Sequence, residues 1–197
     1  MAKIEDIIPF ILYMEAGVSR HYVNLPPEEV FEHARKTGWS EDKDDRGGAT
    51  MCGITLSTYT HWRALHGKGV TSKSHLKAIT YQEWRAVLKE LFWDRWQADK
   101  IHSQPLANIL VDWVWASGSI GIKRPQKALG VVADGVVGDK TLAALNNVNE
   151  ERFFAQLHQM RLNHFDEIVR LNPRQRKFLK GWRRRVNCIT LNGLVYA

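Results

Sequence analysis

Apolar residues recur at intervals of three and four along most of this 197-residue chain, which is the spacing of one buried face of an α-helix. The pattern is clear over residues 4–16, 105–117 and 150–171. Glycine or an Asn-Pro pair follows each of these segments, and such residues mark helix ends. The sequence therefore predicts a mainly α protein.

One stretch, DDRGGATMCGIT at residues 44–55, departs from helical spacing. The pair Gly47–Gly48 favours a tight turn, because glycine reaches backbone angles that residues with a β-carbon reach only at a cost. Thr50 and Ile54–Thr55 have the composition of a short β-ribbon. Such a ribbon could present Asp45 and Thr50 to a common space, although an ordinary surface hairpin has the same composition.

Charge and cysteine content limit the classes of partner. Lys and Arg number 28 against 21 Asp and Glu, a net charge of +7, which predicts attraction to nucleic acid, a membrane surface or an acidic polymer such as cell wall. Cys52 and Cys188 have no CxxC spacing, and the eight histidines form no HExxH motif. We therefore expect no metal site and two small buried cysteines.

The apolar run Ile7–Met14 lies between acidic residues, Glu5 and Asp6 before it and Glu15 after it. This arrangement suits neither a signal peptide nor a membrane span. We therefore expect synthesis in the cytoplasm without a signal peptide, and no stable membrane insertion.

Glu15 lies at the end of the first predicted helix. A carboxyl group there faces the negative end of the helix dipole, which favours its neutral, proton-donating form. Asp45, beside Arg46 on a solvated ribbon, should stay ionised. Glycoside hydrolysis needs one neutral and one ionised carboxyl group. The neutral group protonates the leaving oxygen, while the ionised group stabilises the positive charge that develops on the sugar or activates water. As spacing alone the signal is weak, since a glutamate at a helix end is more often a solvated surface group.

A series of motifs resembles the glycoside hydrolase family 108 lysozymes, which include phage endolysins and proteins once called secretion activators. The motifs are Glu15, Tyr22-Val23-Asn24, Asp45-Arg46-Gly47-Gly48-Ala49-Thr50 and Gly53-Ile54-Thr55. The resemblance implies a lysozyme-like helical fold with one small β-ribbon. It also implies cleavage of the peptidoglycan glycan strand, with the glutamate essential.

The resemblance assigns the catalytic proton to Glu15. The order glutamate, aspartate, threonine is also similar to that of phage-type lysozymes, which makes Asp45 and Thr50 its candidate catalytic partners. Tyr22, Asn24 and Arg46, from the matching motifs, are candidate substrate-binding residues.

Residues 105–187 resemble the helical peptidoglycan-binding module that accompanies this family. The sequence changes near residue 100 from acid-bearing loops to compact helices. Together with the resemblance, this predicts a catalytic domain over residues 1–100 and a helical binding module over residues 101–197, packed on it. Residues 25–44 are an insertion with a predicted helix of their own, either a wall or lid over the glycan or a neutral surface elaboration.

Several tryptophans are further candidates for sugar contact, because flat aromatic faces stack on sugar rings, although tryptophans at helical spacing usually belong to the core. Trp93 and Trp115 are out of step with the apolar stripes and are the candidates for exposed, substrate-binding positions. Asp112 lies inside an apolar helix and needs a partner, by default an arginine or the backbone, if it is buried.

These observations predict a peptidoglycan hydrolase of the N-acetylmuramidase type, encoded by a phage or prophage lysis gene or a secretion gene descended from one. We expect a monomer that needs no metal or organic cofactor, binds no nucleic acid and reaches the cell wall by holin-type or other non-classical release. The alternatives are a non-catalytic peptidoglycan-binding or secretion accessory protein, and a basic nucleic-acid binder. A peptidase has less support, because no local motif marks a Cys/His or Ser/His pair.

Overall fold

The computed structural model describes residues 1–41 and 48–197. The chain forms two compact units: an N-terminal unit, Ile4–Leu91, and a C-terminal unit, which combines Phe92–Ala197 with Met1–Lys3. Both units are mainly helical, as the apolar spacing predicts. In the described ranges, no helix has both the length and the apolar character that crossing a membrane requires.

The N-terminal unit contains five α-helices and one small sheet within the described residues. The helices are α1 (Ile8–Ala16), α2 (Pro27–Ala34), α3 (Leu56–Leu65), α4 (Lys73–Lys77) and α5 (Tyr81–Leu88). A short 3₁₀ turn at Ile4–Asp6 precedes α1, and α5 runs into a π-helical turn at Lys89–Trp93. The predicted helix in the inserted segment is thus confirmed as α2.

The sheet is antiparallel with strand order β1 (Trp39–Glu41), β2 (Ala49–Met51) and β3 (Ile54–Thr55). Thr50 pairs with Thr55, which confirms the predicted ribbon, and β1 adds a third strand that the sequence did not reveal. The turn from β2 to β3 has left-handed φ at both residues, 48° and 81°, as two-residue hairpin turns require. Gly48 also has a left-handed φ, 64°, while its predicted turn partner lies outside the described residues.

Gly38 lies where the end of α1, the end of α2 and the β2–β3 turn pack together. A β-carbon at Gly38 would lie 2.6 Å from Cys52 Sγ and 2.8 Å from the Ala34 carbonyl oxygen. It would also approach the Ala16 β-carbon to 3.2 Å. Gly38 O accepts a 2.8 Å hydrogen bond from the Cys52 amide, so this contact aligns the turn with the two helices.

Gly38→Ala is therefore expected to destabilise the protein by about 1–3 kcal/mol, because the new methyl group overpacks this contact. Denaturant unfolding measures the change. Gly181→Ala is the control, because Gly181 lies within α10 (Leu179–Asn187) and a β-carbon there would meet no atom within 4 Å. This variant should leave the stability unchanged or raise it by up to about 1 kcal/mol. Equal stability of the Gly38→Ala variant and the unmodified protein would contradict the packing described here.

The C-terminal unit contains the remaining helices of the described chain and a second two-stranded ribbon. The helices are α6 (Gln104–Ser117), α7 (Ile120–Ala128), α8 (Asp139–Asn146), α9 (Glu150–Leu171) and α10, and the strands are β4 (Ile189–Thr190) and β5 (Gly193–Leu194). Short 3₁₀ turns lie at Asp94–Trp96, Ala98–Lys100 and Pro173–Phe178. The apolar helix α6 is its centre, since nine successive residues from Leu106 to Val114 are buried.

Asp112 on α6 is fully buried between two arginines. Its Oδ2 accepts from Arg161 Nη2 on α9 at 2.8 Å, and its Oδ1 accepts from Arg185 Nε on α10 at 2.9 Å. Burial opposes ionisation, but the charges and hydrogen bonds of Arg185 and Arg161 outweigh it and hold the pKa of Asp112 below its usual value. The predicted arginine partnership of a buried Asp112 is confirmed.

Candidate active site

Glu15 is the penultimate residue of α1, and its side chain is half-buried. Gly17 ends the helix in the left-handed conformation, with φ 64°, and its amide donates to the Tyr13 carbonyl oxygen at 3.2 Å. The carbonyl oxygen of Ala16 accepts from Thr37 Oγ1 at 2.9 Å. These two hydrogen bonds hold the last turn of α1 in place around Glu15. The helix ends where the sequence predicts, at Ala16.

The loop after α1 presents the candidate substrate-binding residues Tyr22 and Asn24 on the surface. Val18 and Val23 are buried and anchor this loop, while Tyr22 remains 39% exposed. The Tyr22 ring stacks on His33 of α2, with centroids 3.7 Å apart and planes 10° from parallel. Helix α2 thus holds one of the candidate sugar-contacting rings in place, and no local sequence pattern predicts this contact.

Thr50, the candidate for holding water, is half-buried in the central strand of the sheet, opposite Ser40 and Thr55. Glu15, Tyr22, Asn24 and Thr50 all belong to the N-terminal unit. Asp45 and Arg46 lie outside the described residues, so their predicted places beside Glu15 stay predictions.

Cys52 in the β2–β3 turn is fully buried and shares an electrostatic environment with Glu15. Burial is the main cause that raises the pKa of its thiol to about 12, opposed by the charge of Arg35 and aided by those of Glu15 and Glu32. A thiol with so high a pKa holds its proton at neutral pH and is a poor nucleophile. Cys52 is therefore poorly suited to act as a nucleophile in this part of the unit.

Cys52 is expected to resist alkylation by iodoacetamide at pH 8 in the folded protein and to react readily in denaturant. The raised pKa leaves almost no thiolate at that pH, and the side chain is buried. Peptide mass analysis after timed alkylation measures the reaction separately at Cys52 and at the other buried cysteine, Cys188. Rapid native labelling of Cys52 would contradict the environment described.

A second polar cluster in the N-terminal unit ties α3 to α5. Glu83 accepts hydrogen bonds from Tyr59 Oη at 2.8 Å and from Lys68 Nζ at 2.9 Å. Burial by itself raises the pKa of Glu83, but the bonds from Lys68 and Tyr59 outweigh it and lower that pKa. Glu83 is thus held ionised and suits a structural ion pair better than proton donation.

The prediction that Trp93 is exposed is wrong. Trp93 is fully buried in the C-terminal unit, and its Nε1 donates to Asp99 Oδ1 at 2.8 Å. The expected exposure of Trp93 rests on α-helical spacing. That spacing does not hold here, because Trp93 ends a π-helical turn, which has more residues per turn. Trp115 is half-buried and packs on the Phe92 ring, with centroids 4.6 Å apart.

Comparison with known proteins identifies both parts of the sequence. Residues 31–118 match the profile described as glycosyl hydrolase 108, and residues 120–187 match the profile of a predicted peptidoglycan domain. The first match includes residues 45–55, whereas Glu15, Tyr22 and Asn24 precede it. The chain is also similar to the solved structure of Brucella abortus SagA, with 32% identity and a TM-score of 0.64 over 77% of this chain and 82% of SagA. No curated protein matches the chain.

Proposed function

This chain belongs to the glycosyl hydrolase 108 family, and from that premise we propose that it is a lysozyme-type peptidoglycan hydrolase. The proposed reaction is hydrolysis of the β-1,4 bond between N-acetylmuramic acid and N-acetylglucosamine. The observation that carries the proposal is the half-buried Glu15 at the C-terminal end of α1. There a carboxyl group partly shielded from water faces the negative end of a helix dipole.

In the proposed mechanism, Glu15 donates its proton to the glycosidic oxygen as the bond to the sugar breaks. Asp45 stabilises the positive charge that develops on the sugar or positions water, and Thr50 assists in holding that water. Tyr22, Asn24 and Arg46 contact the glycan, with the stacked Tyr22 ring offering a flat face. A water molecule then forms the new bond to the anomeric carbon and gives its proton to a carboxylate, so that carboxyl groups and water account for every bond that breaks and forms.

We assign catalysis to residues 1–100 and wall binding to residues 101–197. The match to a predicted peptidoglycan domain supports the second assignment, and the net charge of +7 suits an anionic polymer. Trp115 is a candidate sugar contact in this part, whereas Trp93 is buried and cannot contact the glycan. We further propose that the protein acts as a monomer on the wall after holin-type or other non-classical release.

The proposal is tested on purified cell walls by following turbidity together with the appearance of new reducing sugar ends. The intact protein should lower turbidity and release reducing ends in proportion. Binding to walls without either change would support a non-catalytic peptidoglycan-binding protein instead. Turbidity loss with new free amines, and without reducing ends, would indicate a peptidase.

A further inference from the structure

A surface groove of about 660 Å³ runs along α10 in the C-terminal unit. Four basic side chains line it: Arg176, Lys180, Arg183 and Arg184. Leu179 contributes an apolar surface between them, and no acidic side chain of the described residues lines the groove. The groove is therefore lined by both cationic and apolar side chains.

Two of these four cations have no counter-charge within residues 1–41 and 48–197. Arg183 forms an ion pair with Asp166 at 2.6 Å, and Arg184 donates to the Ala197 carbonyl oxygen. By contrast, the side chains of Arg176 and Lys180 form neither an ion pair nor a hydrogen bond with any residue that the structure describes. Lys180 and Arg184 lie four residues apart on one helix, a spacing at which like charges repel. An anion bound between them would relieve that repulsion.

The chain's own backbone already lies against this groove. Val195 and Ala197 line it together with α10, and the hydrogen bond from Arg184 to the Ala197 carbonyl oxygen joins the two sides. An arginine of the groove thus already donates to a main-chain oxygen, with the apolar side chain of Val195 among the lining residues.

We propose that this groove binds the stem peptide of peptidoglycan through the peptide's free carboxylates. Stem peptides are short chains in which small methyl side chains accompany several carboxylates. Those methyl groups match Leu179 and Val195, and the carboxylates match Arg176 and Lys180. The inference rests on the proposed function only for the identity of the peptide.

Two other polyanions fit the groove less well. A bilayer surface is flat and does not enter a concave groove, whereas a single peptide does. Single-stranded nucleic acid binds through base stacking on aromatic side chains, and no aromatic ring of the described residues lines this groove. Charge and shape together therefore favour an acidic peptide.

The test measures binding of a synthetic stem pentapeptide to the full-length protein by isothermal titration calorimetry. The double variant Arg176→Gln/Lys180→Gln is expected to bind about tenfold more weakly, because it loses two charge-assisted contacts. The matched control is Arg174→Gln/Lys177→Gln. It also removes two positive charges, from the 3₁₀ segment that contains Arg176, but neither residue lines the groove, so affinity should change by less than about twofold. The pentapeptide with amidated carboxylates should bind the unmodified protein about tenfold more weakly.

Equal weakening in the two double variants, or equal affinity for the charged and amidated peptides, would overturn the proposal. So would a selective loss of binding to single-stranded DNA or to anionic phospholipid vesicles in the Arg176→Gln/Lys180→Gln variant, with peptide binding unchanged. Thermal unfolding confirms that both variants are folded. The peptide contains no glycosidic bond, so its binding is independent of glycan cleavage, and a failure of either proposal leaves the other measurable.

Discussion

Glu15→Gln is expected to slow wall lysis by about 10²–10⁴-fold while leaving the fold unchanged, because the amide keeps the shape of the side chain but cannot donate the proton. The position supports this expectation, since Glu15 is half-buried at the fixed end of α1. The measurement is the initial rate of turbidity loss of purified walls at matched protein concentration. Circular dichroism and thermal unfolding establish that the variant is folded.

Glu32→Gln is the matched control for this experiment. Glu32 also acts electrostatically on Cys52, but it is exposed on α2 and lies 3.5 Å from Arg35 as a surface ion pair. Its replacement should change the lysis rate by less than about twofold, as surface pairs contribute little. Full activity of folded Glu15→Gln would remove Glu15 as the proton donor. Equal losses in both variants would mean that general negative charge near Cys52, and not a specific acid, supports lysis.

Asp112→Asn is expected to lower the free energy of unfolding by about 3–5 kcal/mol, because it leaves the buried Arg161 and the half-buried Arg185 without their counter-charge. Arg161 is 1% exposed and Asp112 is fully buried, so water cannot replace the lost carboxylate. Asp166→Asn removes the same charge from an exposed pair with Arg183 and should cost less than about 1 kcal/mol. Denaturant unfolding compares the two variants, and equal costs would contradict a structural role for the buried cluster.

The buried ion cluster of Asp112, Arg161 and Arg185 also predicts how the free energy of unfolding depends on pH. The pKa of Asp112 in the folded protein is below its usual value of 3.8, so its contribution is complete above that pH and is lost as pH falls through the folded pKa. The unmodified protein should therefore lose stability in acid more steeply than Asp112→Asn. Unfolding free energies measured from pH 6 downwards check the slope, and parallel curves would contradict the assignment to Asp112.

Local sequence signals account for most of the helical architecture. The long amphipathic segment was predicted at residues 150–171 and is found as α9 over Glu150–Leu171. The first helix was predicted to stop at Ala16-Gly17, and α1 ends at Ala16. Both boundaries depend on apolar spacing and on a helix-breaking residue within the segment itself, so the sequence carries them without knowledge of the tertiary fold.

Features that depend on residues distant in sequence cannot be predicted from such local signals. The stacking of Tyr22 on His33 joins a loop to α2, and Cys52 packs against Gly38. Trp93 was misplaced because a π-helical turn changed the spacing from which its exposure was predicted. Glu15 can be identified as the candidate acid from the sequence, because its position at a helix end and its motif are both local features. The contacts that surround it are formed by residues distant in sequence.

The central claim is the identity of the cleaved bond, and the sugar at the new reducing end tests it most directly. Free amines released from walls by the intact protein are measured first. The digest is then reduced with borohydride and hydrolysed in acid, and mass spectrometry identifies the reduced amino sugar. Cleavage between N-acetylmuramic acid and N-acetylglucosamine should yield muramitol. Glucosaminitol in its place, or free amines with no reduced sugar, would contradict the assignment of this chain as an N-acetylmuramidase.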